Sequence, residues 1–113
     1  MEKALTLNQY QQLAAQTATY PKDKGVEYTV LGLNDEAGEV AGKLKKMMRG
    51  DYGMMPKQQI REMIGQEIGD VFWYVAMAAM EQGFTLQEIA EMNLGKLDSR
   101  MERGVIKGDG DNR

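Results

Sequence analysis

Two short acidic motifs, separated by 27 residues, contain the best candidates for chemistry in this sequence. The first motif, EAGE, carries Glu36 and Glu39, and the second, EIGD, carries Glu67 and Asp70. Each pair is spaced i, i+3, so on a helix both of its carboxylates lie on the same side. Ionised carboxylates beside a core are costly unless a cation pairs with them or a metal binds them. Four acids on two helices therefore indicate a bound divalent cation.

Ion pairing is the ordinary alternative for any one of these acids. Glu39 and Lys43 are spaced i, i+4, which on a helix gives a pair worth only about a few tenths of a kcal/mol. Lys43 alone cannot neutralise four acids, and the chain has no histidine. Mg²⁺, or Mn²⁺ in its place, suits such a site because it prefers oxygen ligands in octahedral geometry. The runner-up, a di-iron carboxylate site, needs Glu-x-x-His pairs that this chain lacks.

The composition excludes several other classes of chemistry. The 113 residues include 14 Lys plus Arg and 17 Asp plus Glu, giving a net charge of −3. A surface for a nucleic-acid polymer would need a clustered basic excess, so we expect none. The absence of cysteine and histidine excludes disulfides, zinc–thiolate sites, thiol nucleophiles and histidine-based triads.

No segment of the sequence resembles a membrane span or a secretion signal. The opening MEKALTL has no apolar stretch, and no apolar run approaches the roughly 20 residues that a transmembrane helix needs. We therefore expect a soluble cytoplasmic protein.

The elements that must position the acids are predicted to be helices. Capping-box patterns begin at Thr6 and Thr85, and Gly50 is placed to end a helix in a left-handed conformation. Apolar residues at helical spacing predict four helices, at about 7–19, 27–48, 56–83 and 85–104. Residues 104–113 are expected to be an irregular tail. We predict one all-α domain over residues 1–113, a four-helix bundle.

Helical-wheel positions place the acids next to the apolar faces. Glu36, Glu39 and Lys43 border the apolar stripe of the second helix, which contains Leu44 and Met47. On the third helix, Glu67 falls within the apolar arc and Asp70 lies one turn before Tyr74. Both pairs are therefore predicted to face inward.

The fourth helix presents basic residues on its inner face. Asn93, Lys96 and Arg100 cluster within about 60° of Ile89 on an ideal helical wheel. Taken alone, such side chains usually extend past the edge of a core to water. Opposite an acidic metal site, they would instead bind the outer phosphates of a substrate.

These residues, taken together, resemble the MazG-like all-α nucleoside triphosphate pyrophosphohydrolases. The sequence matches that family's E-x-x-E…E-x-x-D signature with EAGE and EIGD, and the Asn-x-x-Lys helix follows in register. The flanking segments GLNDEAGEVAGKLKK, EIGDVFWYVA and NLGKLDSRMERGVIKGDGDNR are also similar, the last one to compact phage and mobile-element members. The resemblance covers nearly the whole chain.

The resemblance implies hydrolysis of a nucleoside triphosphate, often a deoxynucleotide or a noncanonical one, to the monophosphate and pyrophosphate. Such an activity serves nucleotide-pool control. By the same resemblance Glu36, Glu39, Glu67 and Asp70 would hold Mg²⁺. Glu36 or Glu39 would also orient or deprotonate the attacking water.

The resemblance also implies substrate contacts and an assembly. The residues expected near phosphates, sugar or base are Lys43, Lys46, Tyr74, Asn93, Lys96 and Arg100. Phe72 and Trp73 are expected in the core or a subunit interface. A homodimer or a dimer-based tetramer is expected to complete the bundle and the site. The alternatives are a non-catalytic helical interaction module and a nucleotide-binding regulator without turnover.

Overall fold

The computed structural model describes residues 3–113, in which the regular secondary structure is helical and no strand occurs. A short 3₁₀ turn, Lys22–Lys24, precedes the second helix. The all-α prediction is confirmed. The four α-helices are α1 Leu7–Ala15, α2 Gly25–Arg49, α3 Lys57–Glu81 and α4 Leu86–Glu102.

Local signals in the sequence set three of the helix ends. The hydroxyls of Thr6 and Thr85 each accept a hydrogen bond from the backbone N–H three residues on, and the returning side-chain bond completes both capping boxes. Gly50 ends α2 with a φ of 88°, a left-handed conformation that favours glycine. These three ends agree with the predictions.

The end of α1 differs from its prediction, because the helix stops at Ala15 rather than at residue 19. The Thr17 hydroxyl donates to the carbonyl of Ala14 at 2.7 Å and accepts from the indole N–H of Trp73 at 2.8 Å. The chain then turns and brings Tyr20 into the core. Contacts with a distant helix therefore override the local helical pattern.

The hydrophobic core lies at one end of the molecule. Gln11, itself buried, fastens α1 there: its side-chain amide donates to the carbonyls of Ala76 and Phe84 and accepts from the N–H of Leu86. The bonds to Phe84 and Leu86 satisfy backbone groups at the corner where α3 turns into α4, and the bond to Ala76 ties α1 to the body of α3. The buried apolar residues are Ala14, Ala18, Tyr20, Ala76, Met77, Ala79 and Leu86.

The two longest helices, α2 and α3, run antiparallel and extend beyond this core as a two-helix arm. They approach closely at Gly32, where an added Cβ would collide with the ring of Tyr74. Further along the arm, Lys43 faces Glu67. Helix α3 also packs against α1 and α4, whereas α2 and α4 do not pack against each other within residues 3–113. The acidic motifs lie in the arm, next to its junction with the core.

The single chain leaves much apolar surface uncovered. Its Cα radius of gyration is 17.3 Å, whereas a compact domain of this length has about 13 Å. It exposes 8529 Å², and a compact monomer of this mass exposes about 6,200 Å². Leu44 and Met47, predicted to face a core, are 47% and 38% exposed because the acidic side of α2 faces α3 instead. Much of the apolar side of α2 is thus open to solvent.

None of the helices within residues 3–113 has both the length and the apolar character that crossing a membrane requires.

Candidate functional site

The packing of α2 against α3 brings the two acidic motifs together. Two groups of three acids each bring one carboxylate oxygen per residue within 4.8 Å of the others. The first group is Asp35, Glu36 and Glu39, and the second is Glu36, Glu67 and Asp70. Glu36 belongs to both groups and therefore lies at their centre. The four acids assigned to the metal from the sequence are joined here by a fifth, Asp35, which precedes Glu36 on the same helix.

Two oxygens in this acidic cluster have no protein partner. Oε2 of Glu36 and Oε2 of Glu67 are buried and accept no hydrogen bond from residues 3–113. The Glu39–Lys43 pair considered from the sequence does not form in this part of the chain, since Lys43 reaches across to Glu67 at 3.8 Å. That distance is too long for a hydrogen bond. Buried carboxylate oxygens without donors, and an all-oxygen set of ligands, fit a hard divalent cation.

The same crowding changes the acidity of Glu36. Burial, first, and then the hydrogen bond and negative charge of Glu39 raise the pKa of Glu36 to about 7. The charges of Asp70 and Asp35 act in the same direction. Without a cation, Glu36 therefore carries its proton through much of the acidic range.

A cavity opens on each side of the acidic cluster. One, of about 360 Å³, is lined by Glu39 and Glu67 together with the basic residues Lys43, Lys45 and Lys46. The second cavity, of about 310 Å³, is lined by Glu36, Asp70, Thr17, Trp73 and Tyr74. A larger cavity, of about 440 Å³, lies against α1 and has no acidic residue in its lining. The acids thus separate a lysine-lined space from an aromatic one.

The aromatic cavity depends on tertiary contacts. Tyr74 fits against Gly32 and hydrogen-bonds Tyr28, and burial together with this bond raises the pKa of Tyr74 to about 12. Trp73 packs against the core, as predicted, yet also lines the cavity, with its ring 4.9 Å from that of Tyr74. Phe72 packs instead on Tyr10. Sequence patterns missed Thr17 and the second role of Trp73, since both follow from long-range packing.

Comparison with known proteins places this site in a family. The family model described as "MazG nucleotide pyrophosphohydrolase domain" matches residues 24–105, well over half of the chain. The chain belongs to the MazG family. It is also 44% identical over 110 residues to the "Gene 37 protein" of Mycobacterium phage L5, covering 92% of this chain and 96% of that relative. No solved structure matches.

The matched range of the MazG domain includes both acidic motifs and also Asn93, Lys96 and Arg100 on α4. Within residues 3–113, these α4 residues do not meet the acidic cluster, because α4 does not pack against α2. Asn93 and Lys96 instead line a separate cavity of about 400 Å³ with Asp111. One chain therefore forms the acidic half of the predicted site and leaves the basic residues of α4 apart from it.

Divalent cations are expected to stabilise the MazG domain more at about pH 8 than at about pH 5.5. The folded-state pKa of Glu36, about 7, lies above its ordinary value of 4.5. Its contribution to stability is therefore complete below about pH 4.5 and is lost as the pH rises through about 7. Above that pH, the ionised acids repel one another unless a cation joins them.

Melting temperatures measured with Mg²⁺ and with EDTA at both pH values check this expectation. The rise caused by Mg²⁺ should be larger at the higher pH, and Glu36→Gln should remove most of the difference. An equal rise at both pH values would show that the titration of Glu36 is not coupled to cation binding.

Proposed function

We propose that this MazG domain is an Mg²⁺-dependent pyrophosphohydrolase. It converts a nucleoside or deoxynucleoside triphosphate and water to the monophosphate and pyrophosphate, and so controls the nucleotide pool. The observation that supports this most is the acidic cluster between a lysine-lined and an aromatic cavity. A nucleoside triphosphate has the same order of parts: a flat base and sugar, a metal-binding phosphate, and a chain of negative charge.

We assign the metal to Glu36, Glu67 and Asp70, with Glu39 at the edge of the site. Oxygens of the first three converge within 4.8 Å, and Glu36 and Glu67 each have a buried oxygen without a donor. When bound, Mg²⁺ supplies positive charge to the phosphate chain and makes water more acidic. The protein itself needs no histidine for this chemistry.

Glu39 is the residue we assign to the attacking water. It is exposed, lies beside Glu36 in the acidic cluster and lines the lysine-lined cavity, so it can accept a proton where the phosphates lie. The water oxygen bonds to the α-phosphorus, its proton passes to Glu39, and the bond from the α-phosphorus to the bridging oxygen breaks. Lys43 and Lys46 neutralise the departing pyrophosphate.

The aromatic cavity is the proposed site for the sugar and base. Trp73 and Tyr74 offer apolar faces against which a nucleoside can pack, and Asp70 connects this space to the metal site. The opposite placement, with phosphates beside the aromatic rings, would leave the triphosphate without cations. Charge therefore fixes the orientation of the substrate.

A second copy of the chain is proposed to complete the site, as a homodimer or a dimer-based tetramer. The exposed apolar side of α2 and the excess of accessible surface support such an assembly. The partner's α4 would bring Asn93, Lys96 and Arg100 to the outer phosphates, because α4 and α2 of one chain do not pack together. This arrangement accounts for basic residues that one chain leaves apart from its own acids.

The reaction products test the proposed activity directly. Each nucleoside and deoxynucleoside triphosphate, incubated with the protein and Mg²⁺, should give monophosphate and pyrophosphate for the preferred substrates, and EDTA should abolish turnover. Chromatography and a pyrophosphate assay measure this. Diphosphate and orthophosphate as first products would contradict attack at the α-phosphorus, and nucleotide binding without turnover of any substrate would favour a non-catalytic binding module.

Glu67→Gln should lower turnover by at least ~100-fold, the upper range for disturbing even an outer partner of a metal site. The amide keeps the size of the side chain but loses the charge that holds Mg²⁺. The metal-free variant should melt at the same or a higher temperature, because one of several repelling charges is removed.

Glu62→Gln is the matched control for this substitution. Glu62 is exposed on the same helix and bonds only the side chain of Gln58 within residues 3–113. It should keep normal turnover. If Glu67 serves only as the partner of Lys43, Glu67→Gln will instead melt lower and turn over normally.

A further inference from the structure

The residues after α4 fold back as a loop of defined shape. The guanidinium of Arg113 donates to the carbonyls of Val105, Ile106 and Gly110 at 3.1, 3.0 and 2.6 Å. Arg103 donates in turn to the carbonyl of Arg113 at 2.8 Å. Side-chain-to-backbone bonds thus close this segment, residues 105–113, which we call the C-terminal loop. The irregular segment expected over 104–113 forms no helix or strand, yet it is held in place.

The C-terminal loop places one carboxylate on two basic residues of α4. Oδ1 of Asp111 lies 2.8 Å from Nζ of Lys96 and 2.9 Å from Nη2 of Arg100, and Nη2 also donates to the Asp111 carbonyl at 2.8 Å. These bonds hold the pKa of Asp111 below its usual range. The Asp111 side chain is 77% exposed, whereas that of Arg100 is 7% exposed. The carboxylate is therefore open to solvent, whereas the guanidinium that it contacts is buried.

Arg100 also retains unused capacity to bind an anion. The residue is only 6% exposed, and its buried Nε has no hydrogen-bond partner within residues 3–113. A buried guanidinium N–H without an acceptor is costly. A planar guanidinium binds best to an anion that accepts two parallel bonds, as a phosphate group does. Asp111 accepts hydrogen bonds from Nη2 of Arg100 but none from Nε.

We propose that Asp111 occupies the position of a phosphate oxygen on Lys96 and Arg100, and so determines how tightly the site binds polyphosphate. This inference rests on the proposed function, in which these two cations bind the outer phosphates. Carboxylate and phosphate oxygens accept from the same N–H donors, so they compete for them. Asp111 lines the same cavity as Asn93 and Lys96, where the incoming phosphate would lie.

The competition has a consequence for selectivity. A ligand with a single phosphate gains little binding free energy from displacing Asp111. A polyphosphate gains more, because it carries more charge and makes more contacts with the site. The bonds of Arg113 keep the C-terminal loop closed and hold Asp111 at high effective concentration beside the two cations. Asp111 thus disfavours weakly bound anions and promotes release of the product. It lies outside the range matched by the family model, which ends at residue 105.

Calorimetric titration with inorganic pyrophosphate tests the proposal without requiring turnover. Asp111→Asn should bind pyrophosphate roughly 5- to 30-fold more tightly than the parent protein at the same ionic strength, because a neutral amide competes poorly with phosphate oxygens. Its KM for the preferred nucleotide should fall similarly. Asp109→Asn is the matched control, because it removes the same charge from the same loop. Asp109 makes no side-chain hydrogen bond or ion pair within residues 3–113, so its variant should stay within about twofold.

A second variant separates competition from simple electrostatics. Arg113→Gln removes a positive charge, which alone would weaken anion binding, but it also releases the loop that holds Asp111. Tighter pyrophosphate binding by Arg113→Gln, at an unchanged melting temperature, supports the proposal. Unchanged or weaker binding by Asp111→Asn would overturn it, since Asp111 would then be either irrelevant to the cations or needed to position them.

The two proposals fail in different ways. If the chain hydrolyses no nucleotide but Asp111→Asn still tightens pyrophosphate binding, the anion site stands and the proposed function falls. If nucleotides are hydrolysed to pyrophosphate and both Asp111→Asn and Asp109→Asn bind it like the parent, only this inference falls.

Discussion

Repulsion among the carboxylates around Glu36 is the constraint on which the rest of this structure depends. Five acids from two helices meet where one lysine, Lys43, approaches no closer than 3.8 Å to Glu67. Such a cluster is stable only if protons or a cation compensate the charge, and the raised pKa of Glu36 shows the first of these. A divalent ion would provide the second, and in the proposed function it would also bind the triphosphate. The same cluster of carboxylates therefore causes the electrostatic cost and supports the proposed activity.

The fold places this costly cluster beside the part that holds the chain together, not within it. The buried residues and the hydrogen bonds of Gln11 lie at one end, around α1 and the corner between α3 and α4. The acids lie in the arm formed by α2 and α3, whose close contact at Gly32 fixes their register. The arm is only partly covered by its own chain, which leaves a cavity on each side of the acids and apolar surface exposed to solvent.

The local features of this architecture could be predicted from the sequence, and the long-range ones could not. Capping boxes and Gly50 mark helix ends because the bonds involved join residues only a few positions apart. Helical spacing predicted that each pair of acids lies on one side of its helix, whereas the packing of α2 against α3 brings the two pairs together. The early end of α1 did not, since Thr17 is bonded by Trp73, 56 positions away. The same holds for Asp111, whose contact with Lys96 depends on how the C-terminal loop folds back.

Anomalous diffraction from crystals soaked in Mn²⁺ would show directly whether the acidic motifs form a metal site. We predict an anomalous peak within about 2.2 Å of carboxylate oxygens from Glu36, Glu67 and Asp70, between the lysine-lined and aromatic cavities. The peak should vanish in crystals of the Glu67→Gln variant. A map at saturating Mn²⁺ with no peak among these acids, and with a lysine hydrogen-bonded to the buried oxygens of Glu36 and Glu67, would contradict it.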